Sequence, residues 1–206
     1  MKSLRGTGMS IVVEHEKRRR EILEKALDVF IDEGFESATY QKIADKCGIT
    51  RTTLYTYFKN KRGIFNFSIK QLLSVLENDI NEIRKAKDLS HTEKLIQVMT
   101  VIIELLEKNR RLLSVIVNYL IYISKSDYDP DYRVRRRTVR LRHILATMLI
   151  DGIKAGEFAV NLNVKDANEL LYGFLEAAAF RMVILLRCSV EELKSAVKLV
   201  IQGFAG

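Results

Sequence analysis

The stretch TYQKIADKCGITRTTLYTYFKNK, from Thr39 to Lys61, constrains the fold more than any other part of the chain. Ile43, Ala44 and Cys47 fall on one helical face, and the hydroxyl of Thr39 is placed to cap the free N–H groups of that helix. Gly48 then ends it, because glycine takes the left-handed conformation without a side-chain clash, and Ile49 behind it can return to the core. After a turn of about three residues Thr50 can cap a second helix, in which Leu54 and Phe58, four apart, bury one side. Arg51, Thr52, Thr53, Tyr55, Thr56 and Tyr57 are left on its sides and front. Arginine can pair with guanine edges and threonine methyls can meet thymine methyls, so a major groove can accept such a helix. The pattern is a helix-turn-helix, and it makes DNA the first partner to consider. A helical hairpin inside a core, with the Thr and Tyr residues merely at its surface, is the competing reading.

The preceding residues shift the balance toward the first. Leu23, Ala26, Leu27 and Phe30 form an apolar stripe in a helix from about Lys17 to Glu33, ended by Gly34, with Phe35 returning to the core. Three helices then make one small domain. The whole segment RREILEKALDVFIDEGFESATYQKIADKCGITRTTLYTYFKNKRGIF resembles the N-terminal domain of the TetR/AcrR family of bacterial transcriptional regulators. The features that carry the resemblance are Ala26 and Phe30 with Gly34 and Phe35, the T-x-x-x-I-A of Thr39 to Ala44, Gly48, and the distinctive run TLYTYFKNK. It implies that Arg51, Thr52, Thr53 and Tyr57 lie on a base- and phosphate-reading helix, that Tyr55 on it binds a phosphate, and that Lys61, opening the next helix, binds another. Gln41 and Lys42 lie where the family often adds a contact, although Gln41 reads equally well as a solvated helix residue. Arg51 and Thr52 stand where smaller residues are frequent in the family, which leaves the operator sequence open.

Beyond Lys61 the helical signals continue, with one proline, few glycines and no strand-like alternation between turn signals. Helices are expected over about Lys61 to Lys85, from a Ser90/Glu93 capping box to about Lys108, and from about Arg110 to Ser124. A break over Asp127 to Asp131 with Pro130 precedes a helix to about Ala155, Asn163 caps another to about Arg187, and Ser189 with Glu192 opens the last. The expectation is an all-α chain of about nine helices. Its parts are a flexible arm over 1–15, a helix-turn-helix domain over 16–62, and a helical effector-binding and dimerisation domain over 63–206.

Two further implications come from the resemblance. The last two helices are apolar around much of their circumference, and a helix apolar beyond one stripe needs a second surface to cover it. The family resemblance makes that surface the mate in a homodimer, through Leu171, Leu175, Ala178, Met182, Val197, Ile201 and Phe204; a monomer core is the alternative. It also implies a mostly apolar effector pocket, with Met99, Ile103, Asn118, Tyr119, Tyr122, His143, Met148, Phe174 and Arg181 as candidate lining. Each of these is also readable as plain core, apart from Arg181, whose charge must reach solvent, a carboxylate or a ligand anion.

Charge, cysteines and histidines bound the rest. The net charge of +8 suits an anionic partner, but residues 1–63 and the remainder each hold +4, so local pattern matters more than the total. Cys47 and Cys188 are far apart and read as reduced thiols, and His15, His91 and His143 show no metal-ligand spacing, so no metal or cofactor is expected. No signal peptide is visible, and the longest apolar run, LLSVIVNYLIYI from Leu112, is too short to span a membrane. A cytoplasmic protein with no membrane partner is expected. Lys17 to Arg20 and the run RVRRRTVRLRH, with six arginines over 133–142, read either as anion-binding patches or as solvated helix faces. No phosphate loop, nucleophile triad or paired-carboxylate site is present, so an enzyme is not expected. The reading is a sequence-specific DNA-binding regulator, a repressor released from a palindromic double-stranded operator by an unknown small-molecule effector. The alternatives are a DNA-binding protein of the same fold that organises DNA or answers to a protein, and a helical lipid-binding or adaptor protein.

Overall fold

The computed structural model describes residues 5–124, 132–185 and 189–206, with backbone alone at 5–12, 72, 123–124 and 132–138. Among the described residues all regular structure is helical: α1 (Arg5–Ser37), α2 (Tyr40–Cys47), α3 (Arg51–Tyr57), α4 (Lys61–Lys85), α5 (His91–Lys108), α6 (Arg110–Ser124), α7 (Tyr132–Lys154), α8 (Val164–Phe180) and α9 (Val190–Gln202), with a π-helical segment at Arg181–Leu185 after α8. The helix-terminating signals in the sequence act as their chemistry dictates. Ser90 and Glu93 close a reciprocal capping box on α5, Asn163 accepts from Lys165 and Asp166 at the start of α8, and Ser189 accepts from Glu192 at the start of α9. The Asp127 to Asp131 break and Cys188 lie outside the described residues.

Residues 1–74 and 75–206 form two compact units. In the first, α1 packs on α2 and α2 on α3. Ile22, Leu23, Ala26 and Phe30 of α1 are buried with Ile43, Ala44 and Cys47 of α2, Leu54 and Phe58 around α3, and Ile64 and Phe65 of α4. Phe30 meets Phe65 edge-on at 4.9 Å, and Phe35 lies 5.8 Å from Phe30 and 5.1 Å from Phe65. Each such side chain taken from water contributes about 1.5–3 kcal/mol. The buried Ser68 hydroxyl donates to the Leu23 carbonyl at 2.9 Å, which satisfies it where α4 meets α1. This packing carries the unit to Ser74, beyond the boundary at 62 suggested by the helix-turn-helix pattern, because the first turns of α4 complete the core. At the other end α1 runs back to Arg5, where an arm was expected through residue 15, and Gly34 (φ 79°) breaks it one turn before Ser37.

The second unit is built around α5, which packs against α6, α7, α8 and α9. Leu95, Val98, Met99, Ile102 and Ile103 are all buried on it. The turn after α7 folds back through Phe158, which is 2% exposed and stands edge-on to Phe204. A Cβ on Gly152 would lie 2.3 Å from two atoms of the Phe158 ring, so this close approach requires the glycine. The expected eighth helix does not continue regularly to Arg187. It widens at Arg181–Leu185, and Arg110 at the start of α6 donates through Nε to the Met182 carbonyl.

Candidate nucleic-acid interface

The α2–α3 turn is set by local chemistry. Thr39 accepts from the Lys42 N–H, Gly48 sits at φ 67° with its N–H directed to the Ala44 and Asp45 carbonyls, and Thr50 accepts from the Thr53 N–H. That φ favours glycine, since a Cβ would be strained there. Leu54 is fully buried and Phe58 nearly so, which turns the opposite side of α3 outward. Arg51, Thr52, Thr53, Tyr55 and Thr56 are exposed on it, and Tyr57 is half-buried.

These side chains are held by their neighbours. The Tyr55 ring stacks on Tyr40 at 4.4 Å and 15°, and Arg51 lies 5.7 Å from the centroid of the Tyr55 ring with Nη2 donating to the Tyr55 hydroxyl at 3.3 Å. Tyr40 is itself buried, and its hydroxyl donates to the Phe58 carbonyl at 2.6 Å, joining the start of α2 to the end of α3. Burial, with Tyr55 nearby, pushes the Tyr40 phenol up to about 12. Tyr40 escaped the sequence analysis because an aromatic at the first position of a short helix signals burial, and its partner is far along the chain. Tyr57 stacks on His15 of α1 at 4.6 Å, a contact equally invisible in the sequence.

The other residues expected here are engaged within the protein. Lys42 pairs with Glu33 at 2.7 Å, and the Gln41 amide donates to Asp45 at 2.8 Å. The Lys61 ammonium donates to the Glu36 carbonyl at 3.0 Å and rests 4.7 Å over the Phe35 ring. Burial pulls its pKa below the ordinary lysine value, against the opposing pull of Glu36. An ammonium has three donors, so Lys61 keeps capacity for a phosphate while its position is fixed. Thr53 shares its hydroxyl with Thr50 at 2.8 Å, whereas Thr52 is exposed on the outward face. Cys47 is buried, with its thiol directed to the Ile22 carbonyl, and burial raises its pKa, the direction of an inert core thiol.

The expected effector residues differ in burial. Met99, Ile103, Tyr119 and Met148 are buried and Phe174 is half-buried, but Asn118, Tyr122, His143 and Arg181 are exposed. Arg181 thus meets its charge requirement by reaching solvent. In the arginine run, Arg140 pairs with Glu77 at 3.1 Å, and Arg142 forms a bidentate pair with Glu169 while lying 4.0 Å over the Tyr172 ring. These two arginines fasten α7 to α4 and α8. The side chains at 133–137 lie outside the described residues.

The expected dimer residues need correction. Leu171, Leu175, Ala178, Met182, Val197, Ile201 and Phe204 are all 7% exposed or less within one chain. They face the chain's own core, where α8 packs on α7 and α9 on α5. A helix apolar on all sides does not reveal in its sequence which side turns inward. The apolar side chains left outward on this part of the chain are Leu170, Phe180, Ile184, Leu185 and Leu199, each more than half exposed.

The sequence pattern of the family described as "Bacterial regulatory proteins, tetR family" matches residues 22–66, the segment whose geometry is given above. The chain belongs to this TetR family. It is a DNA-binding transcriptional regulator. Similar proteins include the "Fatty acid metabolism regulator protein" of Bacillus subtilis (strain 168), 29% identical over 160 residues that cover 76% of this chain and 78% of that one. The "HTH-type transcriptional repressor KstR2" of Mycolicibacterium smegmatis is 28% identical over 159 residues, covering 77% and 74%. Among solved structures, the transcriptional regulator FadR from Bacillus subtilis in complex with stearoyl-CoA shares the fold, with a TM-score of 0.73 at 22% identity over 90% of this chain and 98% of that one. Among the described residues no helix is long and apolar enough to cross a membrane.

Proposed function

We propose that this regulator is a cytoplasmic homodimeric repressor that reads a near-palindromic operator through α3 and is released by a long-chain acyl-CoA. The observation that carries the DNA half is the Arg51–Tyr55–Tyr40 stack, which presents an arginine and a tyrosine from a braced, outward-facing helix. Arg51 reads a guanine edge, Thr52 and Thr53 meet neighbouring bases, and Tyr55, Tyr57 and Lys61 set position on the phosphates. Lys42 and Gln41 add backbone contacts only by exchanging their partners Glu33 and Asp45 for DNA. Dimerisation uses the outward apolar side chains of α8, the π segment and α9, with Leu170, Phe180, Ile184 and Leu199 at its centre. A two-fold pair of reading helices matches half-sites one DNA turn, about 34–36 Å, apart.

The effector class is supported by the relative that regulates fatty acid metabolism and by the related structure bound to stearoyl-CoA. Release follows if the effector binds the operator-free conformation better than the operator-bound one; equal affinity for both would shift nothing. The test is fluorescence anisotropy of DNA from upstream of the protein's own gene, at two salt concentrations, with random DNA as competitor, before and after addition of stearoyl-CoA. Competitor-resistant binding that weakens steeply with salt and is reversed by stearoyl-CoA is the expected result. Binding no tighter than to random DNA at that site and at sites selected from a random pool refutes the DNA half. Operator affinity unchanged by a saturating acyl-CoA refutes the effector half.

A further inference from the structure

A concave, cation-rich site lies wholly within the second unit and is unused by the reading above. The last turn of α4 supplies Arg84 and Lys85, the first turn of α5 supplies His91 and Lys94, and α7 supplies Met148 and Asp151, around a cleft of about 300 Å³. Arg84 and Lys94 have no carboxylate partner among the described residues, and Lys85 pairs only with Glu82, across an exposed 3.1 Å contact worth little. Met148, 5% exposed, adds one apolar side chain to the lining.

Arg84 and Lys85 complement the negative end of α4, whereas Lys94 stands in the first turn of α5, whose positive end favours an anion. The α5 N-terminus already has its anion: Glu157 accepts from the His91 and Thr92 N–H groups, each at 2.8 Å, and from the Thr92 hydroxyl at 2.9 Å, while Ser90 and Glu93 close the capping box. Three side-chain cations and one carboxylate, Asp151, line the cleft, so its lining carries net positive charge beside Met148. A concave lining with an excess of one charge attracts a counter-ion of matching shape. Arginine adds a planar fork that matches phosphate oxygens two at a time.

We propose that this cleft binds a phosphate-bearing small molecule, with phosphate oxygens on Arg84 and Lys94 and an organic portion over Met148. The volume is at the small end for a ligand site, which suits a phosphate or pyrophosphate group with a limited organic attachment rather than a whole lipid tail. Two sources carry that chemistry, the phosphorylated end of an acyl-CoA and a free phosphorylated metabolite. The assignment does not depend on the effector reading.

The test is calorimetric titration of the full-length protein at fixed ionic strength with inorganic pyrophosphate, with coenzyme A lacking an acyl chain, and with sulfate. It is repeated on the R84Q/K94Q variant and on K165Q/K198Q, which loses the same charge elsewhere. Saturable binding of pyrophosphate or coenzyme A, weakened tenfold or more in R84Q/K94Q and less than twofold in K165Q/K198Q, is the expected result. Coenzyme A binding tenfold tighter than pyrophosphate would identify the carrier end of an acyl-CoA as the source, and equal affinities a free phosphate group. Thermal unfolding verifies that each variant is folded. Slower hydrogen exchange over residues 81–94 and 148–151 on adding pyrophosphate to the unmodified protein provides a readout free of substitutions. Absence of saturable binding by pyrophosphate and coenzyme A, equal losses in both variants, or sulfate binding as tightly as pyrophosphate overturns the proposal. Operator binding is measured separately, so failure here leaves the DNA reading standing, and the converse holds.

Discussion

Tyr40 bears on both the stability of the DNA-reading unit and the posture of its reading helix, and two substitutions separate the roles. Tyr40→Phe keeps the buried ring and its 4.4 Å stack on Tyr55 but removes the 2.6 Å hydrogen bond to the Phe58 carbonyl. A net hydrogen bond contributes about 0.5–1.5 kcal/mol, and a buried acceptor left unpaired costs about 1–3 kcal/mol, so a loss of about 1–2 kcal/mol is expected. In urea, with a slope of about 2 kcal/mol/M, the midpoint should fall by about 0.5–1 M. Operator affinity, corrected for folded fraction, should change less than about threefold, since a threefold effect is only about 0.7 kcal/mol. Tyr40→Ala removes the ring too, should cost about 3–5 kcal/mol in stability, and should weaken operator binding by about tenfold or more where the protein remains folded. The phenol adds a pH signature. Its folded pKa of about 12 lies above the ordinary value of 10.0, so the associated stability is complete below pH 10.0 and lost as pH rises toward 12. Tyr40→Phe should flatten that loss. An unchanged urea midpoint in Tyr40→Phe, or operator loss as large as in Tyr40→Ala, would refute the division between hydrogen bond and ring.

Six other substitutions test the remaining parts of the account. Gly152→Ala should lower stability by about 1–3 kcal/mol, read by thermal unfolding, because the new Cβ would overlap the packed Phe158 ring at 2.3 Å. For Glu157, burial raises the carboxyl pKa, but hydrogen bonds from His91 and Thr92 outweigh it and hold the value below the usual range. Its stabilisation is therefore present above the ordinary carboxylate pKa and lost as pH falls through the depressed one, and Glu157→Gln should remove that acid-side slope in unfolding curves. Phe180→Asp should shift sedimentation from dimer to monomer without unfolding the chain, whereas Leu175→Asp should unfold it, since one is outward and the other core. Arg51→Ala should cost about 1–3 kcal/mol at one base pair of the operator, while Lys61→Ala should weaken all sequences alike and lower the salt slope by about one.

The legible parts of the fold were those written in local chemistry. The Ser90/Glu93 box, the Asn163 and Ser189 caps and Gly48 depend on residues within one turn of one another, and the helices begin or end there as expected. The α3 residues facing outward were equally legible, because Leu54 and Phe58 define the inner side of a short helix. What depends on distant partners was not. Tyr40 on Phe58, His15 on Tyr57 and Lys61 on the Glu36 carbonyl are long-range contacts that leave no periodicity in the sequence. The α8 and α9 faces failed for another reason: both sides are apolar, so Leu171 and Leu170 look alike until the core claims one of them. The π segment after α8 adds a second obstacle, since a widened turn shifts every later residue around the helix axis. The candidate effector residues were chosen by residue type, and type does not decide that Tyr119 is buried while Tyr122 is 50% exposed.

The central claim is that α3 reads a two-fold DNA sequence, and selection of bound duplexes from a random-sequence pool tests it without assuming an operator. Several rounds at moderate salt, followed by sequencing, should enrich a near-palindrome with half-site centres about one helical turn apart, and Arg51→Ala should relax one position in each half. A bound pool indistinguishable in sequence from the unbound pool would contradict sequence-specific reading, and with it the account of how this protein acts.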